Sequence, residues 1–127
     1  MEFNLNIGLK KREEKAVTMN DTALVFGSGA AKVFATPMMI GLMEAAAMNA
    51  VKDYLPEGFS TVGISVNIKH IGATAVGKKV YADAELIEID RKRLVFKVEA
   101  FDEDKKIGEG IHERFIIDEK KFMSNLS

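Results

Sequence analysis

The chain has no cysteine and no tryptophan, and only two prolines and two histidines among its 127 residues. Without cysteine there is no disulfide scaffold, thiolate zinc site, iron–sulfur cluster or cysteine nucleophile. Any imidazole chemistry must use His70 or His112. Neither sign of charge dominates: 18 Lys and Arg stand against 19 Asp and Glu, a formal net charge of -1. The bulk electrostatic footprint of a nucleic-acid binder is therefore missing. Lys78-Lys79 and Arg91-Lys92-Arg93 read as solvated turns, with contact to an anionic ligand as their functional alternative. Long apolar runs are missing too. The longest low-charge stretch, Val33 to Met43, falls well short of the ~20 residues that span a bilayer. Met1-Glu2-Phe3-Asn4 shows no basic region leading into an apolar one, so the expectation is a cytoplasmic protein with no membrane or nucleic-acid partner. No phosphate loop, dinucleotide fingerprint or spaced metal-ligand motif occurs, and two histidines on separate strands give only weak support for a metal.

What is present is enough to fold. A chain 47% hydrophobic and 29% charged buries a core without staples, and its length suits one domain over residues 1–127. Residues 36–53 read as the one long helix. Thr36 stands as a candidate N-cap, Pro37 occupies the first helical position, and Pro56-Glu57-Gly58 supplies the stop. This helix is apolar nearly all round, so burial on most sides is expected. Alternating segments follow at about 59–71, 78–90, 93–102 and 106–117, with a weaker strand candidate at 16–24. Short links between strands imply antiparallel neighbours. The expectation is an α+β fold, one long buried helix wrapped by a five-stranded antiparallel sheet, with a small barrel carrying one helix as the rival. The tail after Asp118 reads as polar and frayed.

Glu44 is the oddest residue. Its helical neighbours Ile40, Gly41, Ala47 and Met48 are all apolar, so its carboxylate either lies on a wet edge or seeks a partner. His70 is in phase with Val62, Ile64, Val66 and Ile68, which places it with that apolar row on the core face of the sheet, the face on which the helix should pack. Alone it reads as a core histidine satisfied by a carbonyl; opposite Glu44 it reads as half of a Glu–His pair suited to general-base work. Thr36 is either a cap or a hydroxyl beside the positive end of a helix dipole, where it would help to bind a developing oxyanion. Thr36 and Glu44 lie about 12 Å apart along the axis, too far for their side chains to touch. His112 alternates with the apolar row Ile107, Ile111, Phe115 and Ile117, and reads as a surface or interface residue.

The run Val33-Phe34-Ala35-Thr36-Pro37-Met38-Met39-Ile40-Gly41-Leu42-Met43-Glu44-Ala45-Ala46 resembles the fluoroacetyl-CoA thioesterase family of the hot-dog superfamily, and Gly110-Ile111-His112-Glu113-Arg114 is similar to that family's last strand. The resemblance covers roughly residues 30–117. It implies the hot-dog fold, a homodimer or dimer of dimers with sites near the subunit interface, and hydrolysis of a small acyl-CoA thioester without a metal or organic cofactor, with coenzyme A entering only as part of the substrate. It places the family's catalytic residues on Thr36, Glu44 and His70, and its strand glycine, whose backbone lies near the acyl group, on Gly63. Of the two covalent routes this leaves open, one runs through Glu44 and one through Thr36; direct attack by water is the third choice. The family's phenylalanine gate, six residues before the threonine, aligns with Ala30, with Phe26 and Phe34 nearby, which points to an acyl group other than fluoroacetyl. A non-enzymatic acyl-CoA or small-ligand binding module is the alternative, since the fold hosts several functions. A dehydratase or hydratase would need a different acid–base arrangement.

Overall fold

The computed structural model describes residues 3–126. Five strands form one antiparallel sheet: β1 (Lys10–Ala16), β2 (Phe59–His70), β3 (Lys79–Asp90), β4 (Arg93–Asp102) and β5 (Lys106–Asp118), in the order β1-β3-β4-β5-β2. A short helix α1 (Ala23–Phe26) and the long helix α2 (Thr36–Lys52) precede β2, and a final helix α3 (Glu119–Ser124) follows β5. The α+β arrangement expected from the alternation is the one observed. The turns carry clear local chemistry. Arg91 takes the left-handed conformation (φ 57°) between β3 and β4. Asp102 accepts from the backbone N–H groups of Asp104 and Lys105 and so closes the turn between β4 and β5.

Helix α2 buries Met39, Met43, Ala46, Ala47, Ala50 and Val51. They meet Leu86 of β3, Phe96 and Val98 of β4, and Ile107 and Ile116 of β5, all fully or almost fully buried. Each such Met, Leu, Ile or Phe contributes about 1.5–3 kcal/mol on burial, while the alanines let the helix lie close to the sheet. The opposite side of α2 is not covered. Gly41 and Met48 are exposed, and Ile40, Glu44 and Ala45 are half-buried, so the helix is one-sided in a single chain rather than buried on most sides.

Three local expectations are corrected. The first strand is Lys10–Ala16, not 16–24; residues 19–21 form a 3-10 turn and 23–26 the short α1. As an edge strand rich in charge (KKREEKA), β1 shows no apolar alternation to detect. The tail does not fray at once: the Asp118 side chain accepts from the Lys121 N–H and starts α3. The row Val62, Ile64, Val66, Ile68 is broken. A β-bulge falls between Gly63 and Ser65, and one extra residue reverses the facing of everything beyond it. Thr61 and Gly63 therefore face the helix on one side of the bulge, and Val66, Ile68 and His70 on the other. Ile64 itself is 51% exposed.

Candidate active site

Helix α2 starts one residue earlier than its sequence suggests. Its N-cap is Ala35, in extended conformation (ψ 140°), with no side-chain cap, and Thr36 is the first helical residue. The Thr36 hydroxyl is therefore released from capping, and it lies 2.6 Å from Nδ1 of His70. Two backbone bonds fix this end of the helix: Ala35 N–H donates to the Asp21 carbonyl (2.8 Å) and Phe34 N–H to the Thr74 carbonyl (2.9 Å). The bulge in β2 does the complementary job, turning His70 at the strand's end toward the helix start.

Thr36, Glu44 and His70 line one open cleft of roughly 910 Å³, whose apolar walls include Phe34, Ile40, Val66 and Ile71. Among the described residues no hydrogen bond or ion pair joins Glu44 to His70. The Glu–His pair expected from facing geometry is thus not formed in the single chain; the imidazole bonds Thr36 instead. The other ring nitrogen of His70, Nε2, is buried without a hydrogen-bond partner. Burial lowers the pKa of His70, and the nearby Gly72 backbone opposes this. A neutral ring with its proton on Nε2 leaves Nδ1 free to accept the Thr36 hydroxyl proton.

Gly63 also faces the cleft side. A Cβ placed on it would lie 3.0 Å from Oε2 of Glu44 and 3.2 Å from Cε1 of His112. Beneath it sits a polar cluster that the periodicity did not reveal. His112 is 1% exposed and Arg114 6%, so His112 is a buried residue on the helix side of the sheet, not a surface one. Its Nδ1 lies 2.8 Å from the Ser65 carbonyl, and its Nε2 lies 3.1 Å from Nη1 of Arg114. Arg114 also donates to the Thr61 hydroxyl (2.7 Å) and carbonyl (2.9 Å). Because the guanidinium only donates, His112 accepts at Nε2 and donates from Nδ1, the neutral tautomer. Burial lowers the pKa of both groups, and the negative charge of Glu44 pulls each back up. The Glu44 carboxylate thus faces a buried guanidinium across Gly63. The inward row His112, Arg114, Ile116 was masked by the more apolar outer row Ile111, Phe115, Ile117. The clue was available in Gly108, where a Cβ would strike the Met39 thioether: a glycine in a strand row often marks the face packed most closely.

Among the described residues no group of three or more Asp, Glu or His side chains is gathered as metal ligands. No helix is long and apolar enough to cross a membrane.

One helix laid along a five-stranded antiparallel sheet, with a cleft at the helix start, is the architecture of the hot-dog thioesterase superfamily. A hypothetical Thermus thermophilus protein of that superfamily superposes with a TM-score of 0.88 at 27% identity, over 95% of this chain and 90% of its own. More specifically, residues 17–120 match the family FlK, fluoroacetyl-CoA-specific thioesterase, and the chain belongs to that family. The fluoroacetyl-CoA thioesterase of Streptantibioticus cattleyicolor is 41% identical over 91 residues, which span 72% of this chain and 66% of that protein, slightly under two thirds of its length. The crystal structure of fluoroacetyl-CoA thioesterase FlK superposes with a TM-score of 0.90 at 31% identity, covering 97% of this chain and 96% of that one. A single-site mutant of FlK, solved with fluoroacetate and CoA, gives 0.87 at 33% identity over 93% and 99%.

Proposed function

We propose that this chain hydrolyses a small acyl-CoA thioester, with Thr36, Glu44 and His70 as its catalytic residues and the Gly63 backbone beside the acyl group. Family membership and the CoA complex of a structural relative support the substrate class. The observation that carries the chemistry is the 2.6 Å contact between the Thr36 hydroxyl and Nδ1 of His70 in the cleft. His70 accepts the hydroxyl proton while the Thr36 oxygen bonds to the thioester carbonyl carbon. The positive end of α2 stabilises the oxyanion. The C–S bond breaks, and the imidazolium returns its proton to the departing thiolate. Water then attacks the Thr36 ester carbonyl, again losing its proton to His70; the C–O bond to Thr36 breaks, the imidazolium returns the proton to the Thr36 oxygen, and the carboxylic acid leaves. Glu44, across the cleft, orients that water. The route needs no metal or organic cofactor. Ala30 is exposed and gives no aromatic cover to the cleft, whereas Phe34 is buried in its wall, which favours an acyl group other than fluoroacetyl.

The same proposal includes a homodimer, alone or paired into a dimer of dimers, acting in the cytoplasm. Edge strand β2 exposes Ile64 and Val66 (51% and 46%) beside the uncovered side of α2, so a second copy completes the cleft wall. The test is thiol release from a panel of acyl-CoA esters, read with a thiol reagent; a cysteine-free protein adds no background. His70→Ala and Glu44→Gln should lower turnover by ~10²–10⁴-fold, the usual worth of a positioned acid or base, with the far-UV spectrum unchanged. Parental rates in either variant would remove the assigned roles. No release from any ester, with tight CoA binding by calorimetry, would make the chain a binding module. A scattering mass of one subunit at micromolar concentration would remove the shared site.

A further inference from the structure

The segment that follows His70 is fastened at one point. Ile71, Gly72 and Ala73 line the cleft, and Thr74 behind them is 2% exposed. The Thr74 hydroxyl donates to Oδ2 of Asp102 at 2.9 Å, and Asp102 is itself 6% exposed. Its Oδ1 accepts from the N–H groups of Asp104 and Lys105, so the carboxylate is held rigidly by the β4–β5 turn. The Lys105 ammonium joins Oδ2 of Asp102 (2.9 Å) to the Ala73 carbonyl (2.8 Å). Gly72 leaves room for this arm, since a Cβ there would lie 2.9 Å from Cε of Lys105. The Thr74 carbonyl, in turn, receives the Phe34 N–H two residues before Thr36. One residue therefore ties down both stretches of chain that meet at the Thr36–His70 contact.

We infer that Thr74 and Asp102 are positioning residues for the Thr36–His70 pair, setting its 2.6 Å contact from outside the cleft through the Thr74 hydroxyl and carbonyl. The inference rests on the thioesterase reading for its effect on rate, but not for its effect on His70. A hydrogen bond made only to hold a loop would show in stability. This one acts on a contact whose geometry decides proton transfer, and a misplacement of ~1 Å at such a contact costs on the order of 10²-fold. Loosening the loop also admits water to the imidazole, whose lowered pKa comes chiefly from burial. Among the described residues Glu44 is the only other ionisable side chain lining the cleft, and it lies outside the Thr74–Asp102 tether.

The experiment compares Thr74→Val, Thr74→Ser and Asp102→Asn, with two readouts taken well below each melting temperature. These are kcat and KM for acyl-CoA hydrolysis, and the pH titration of the His70 ring followed by NMR. Thr74→Val and Asp102→Asn should lower kcat about 10–100-fold with KM within about 3-fold, in keeping with a misplaced catalytic contact. His70 should titrate nearer the ordinary ~6.5 in both. Thr74→Ser, which keeps the hydroxyl, should restore both readouts. A folded Thr74→Val chain with parental kcat and parental His70 titration would overturn the inference, even with a lower melting temperature. Should Thr74→Val fail to fold, Lys105→Met decides: its half-exposed ammonium holds the Ala73 carbonyl, and an unchanged His70 titration there counts against the inference. If the parent hydrolyses nothing while the titration shifts in Thr74→Val, the positioning role stands and the thioesterase reading falls.

Discussion

Adding one methyl group at Gly63 tests the site more finely than deleting a catalytic side chain. The new Cβ would sit 3.0 Å from Oε2 of Glu44, 3.2 Å from Cε1 of His112 and 3.5 Å from Nη1 of Arg114. Ordinary contact needs ~3.5 Å, so the carboxylate must retreat by about half an ångström and the imidazole by about a third. The two neighbours differ in how easily they yield. His112 is held at both ring nitrogens, by the Ser65 carbonyl and by Arg114. Glu44 is a long, half-buried side chain at the cleft and has room to swing. The strain therefore relaxes through Glu44. Its cost in stability is offset by the ~0.5–1 kcal/mol that alanine gains over glycine within a strand. Gly63→Ala should melt within a few degrees of the parent, yet lose about ten-fold in kcat, half the logarithmic penalty of a 1 Å displacement. Steady-state thioester hydrolysis and a thermal melt measure the two. Parental kcat would show that Glu44's position does not set the rate. A collapse in melting temperature would show that His112, not Glu44, takes the strain.

Four further outcomes follow from the same geometry. Because His70 must be neutral to accept a proton and burial lowers its pKa, the acid limb of kcat/KM should fall below the ordinary imidazole value of ~6.5; a limb above it would contradict the assignment. Thr36→Val, which keeps shape but loses the hydroxyl, should abolish any acyl-enzyme trapped by mass spectrometry, whereas Glu44→Gln should slow its breakdown. His112 is buried with a depressed pKa, so its contribution to stability is whole above ~6.5 and is lost as pH falls through the folded value. The melting temperature should therefore decline from pH 6.5 downward, and less steeply in His112→Gln. Gly110→Ala would drive a Cβ into the Asn67 carbonyl and Ile68 on the paired strand. With backbone unable to yield, it should cost ~3 kcal/mol or more in a denaturant titration, and a parental midpoint would contradict the β2–β5 register.

The long helix and β3 to β5 were legible because their boundaries are written in local chemistry: Pro37 at the start, Pro56-Glu57-Gly58 at the end, Arg91-Lys92 and Asp102 to Lys105 at the turns. Glu44 was legible as a carboxylate in apolar surroundings and His70 by its phase with an apolar row, while Thr36, read alone as a cap or an oxyanion aid, joined them through the family resemblance; the three do share a cleft. Their partners were not legible. The one local signal of the β-bulge was Gly63, since a glycine inside a strand often marks a bulge; which residue is extra is set by pairing with β5, a contact distant in sequence. The facing of Gly63 could not be read for that reason. His112 and Arg114 were hidden because the outer face of β5 is the more apolar one, carrying Ile111 and Phe115, 37% and 40% exposed in the single chain. Thr36 as first helical residue rather than cap is a one-position difference, yet it decides whether the hydroxyl is spent on the backbone or given to His70.

The two rims of the sheet are unlike each other. At one, β1 runs Lys10-Lys11-Arg12-Glu13-Glu14-Lys15 and braces Arg12 against Asp83 and over the Tyr81 ring. At the other, β2 offers bare backbone flanked by Ile64 and Val66. Charged rims repel further strands, while a bare apolar one invites them. In the homodimer proposed above, joining β2 to the β2 of a second copy would leave β1 at both outer limits of the sheet, with no bare rim for a further strand to extend it. In such a dimer the asymmetry would work as a built-in stop: the stickiness that closes the pair would be consumed by making it, and fibre growth along the sheet would be denied a second rim.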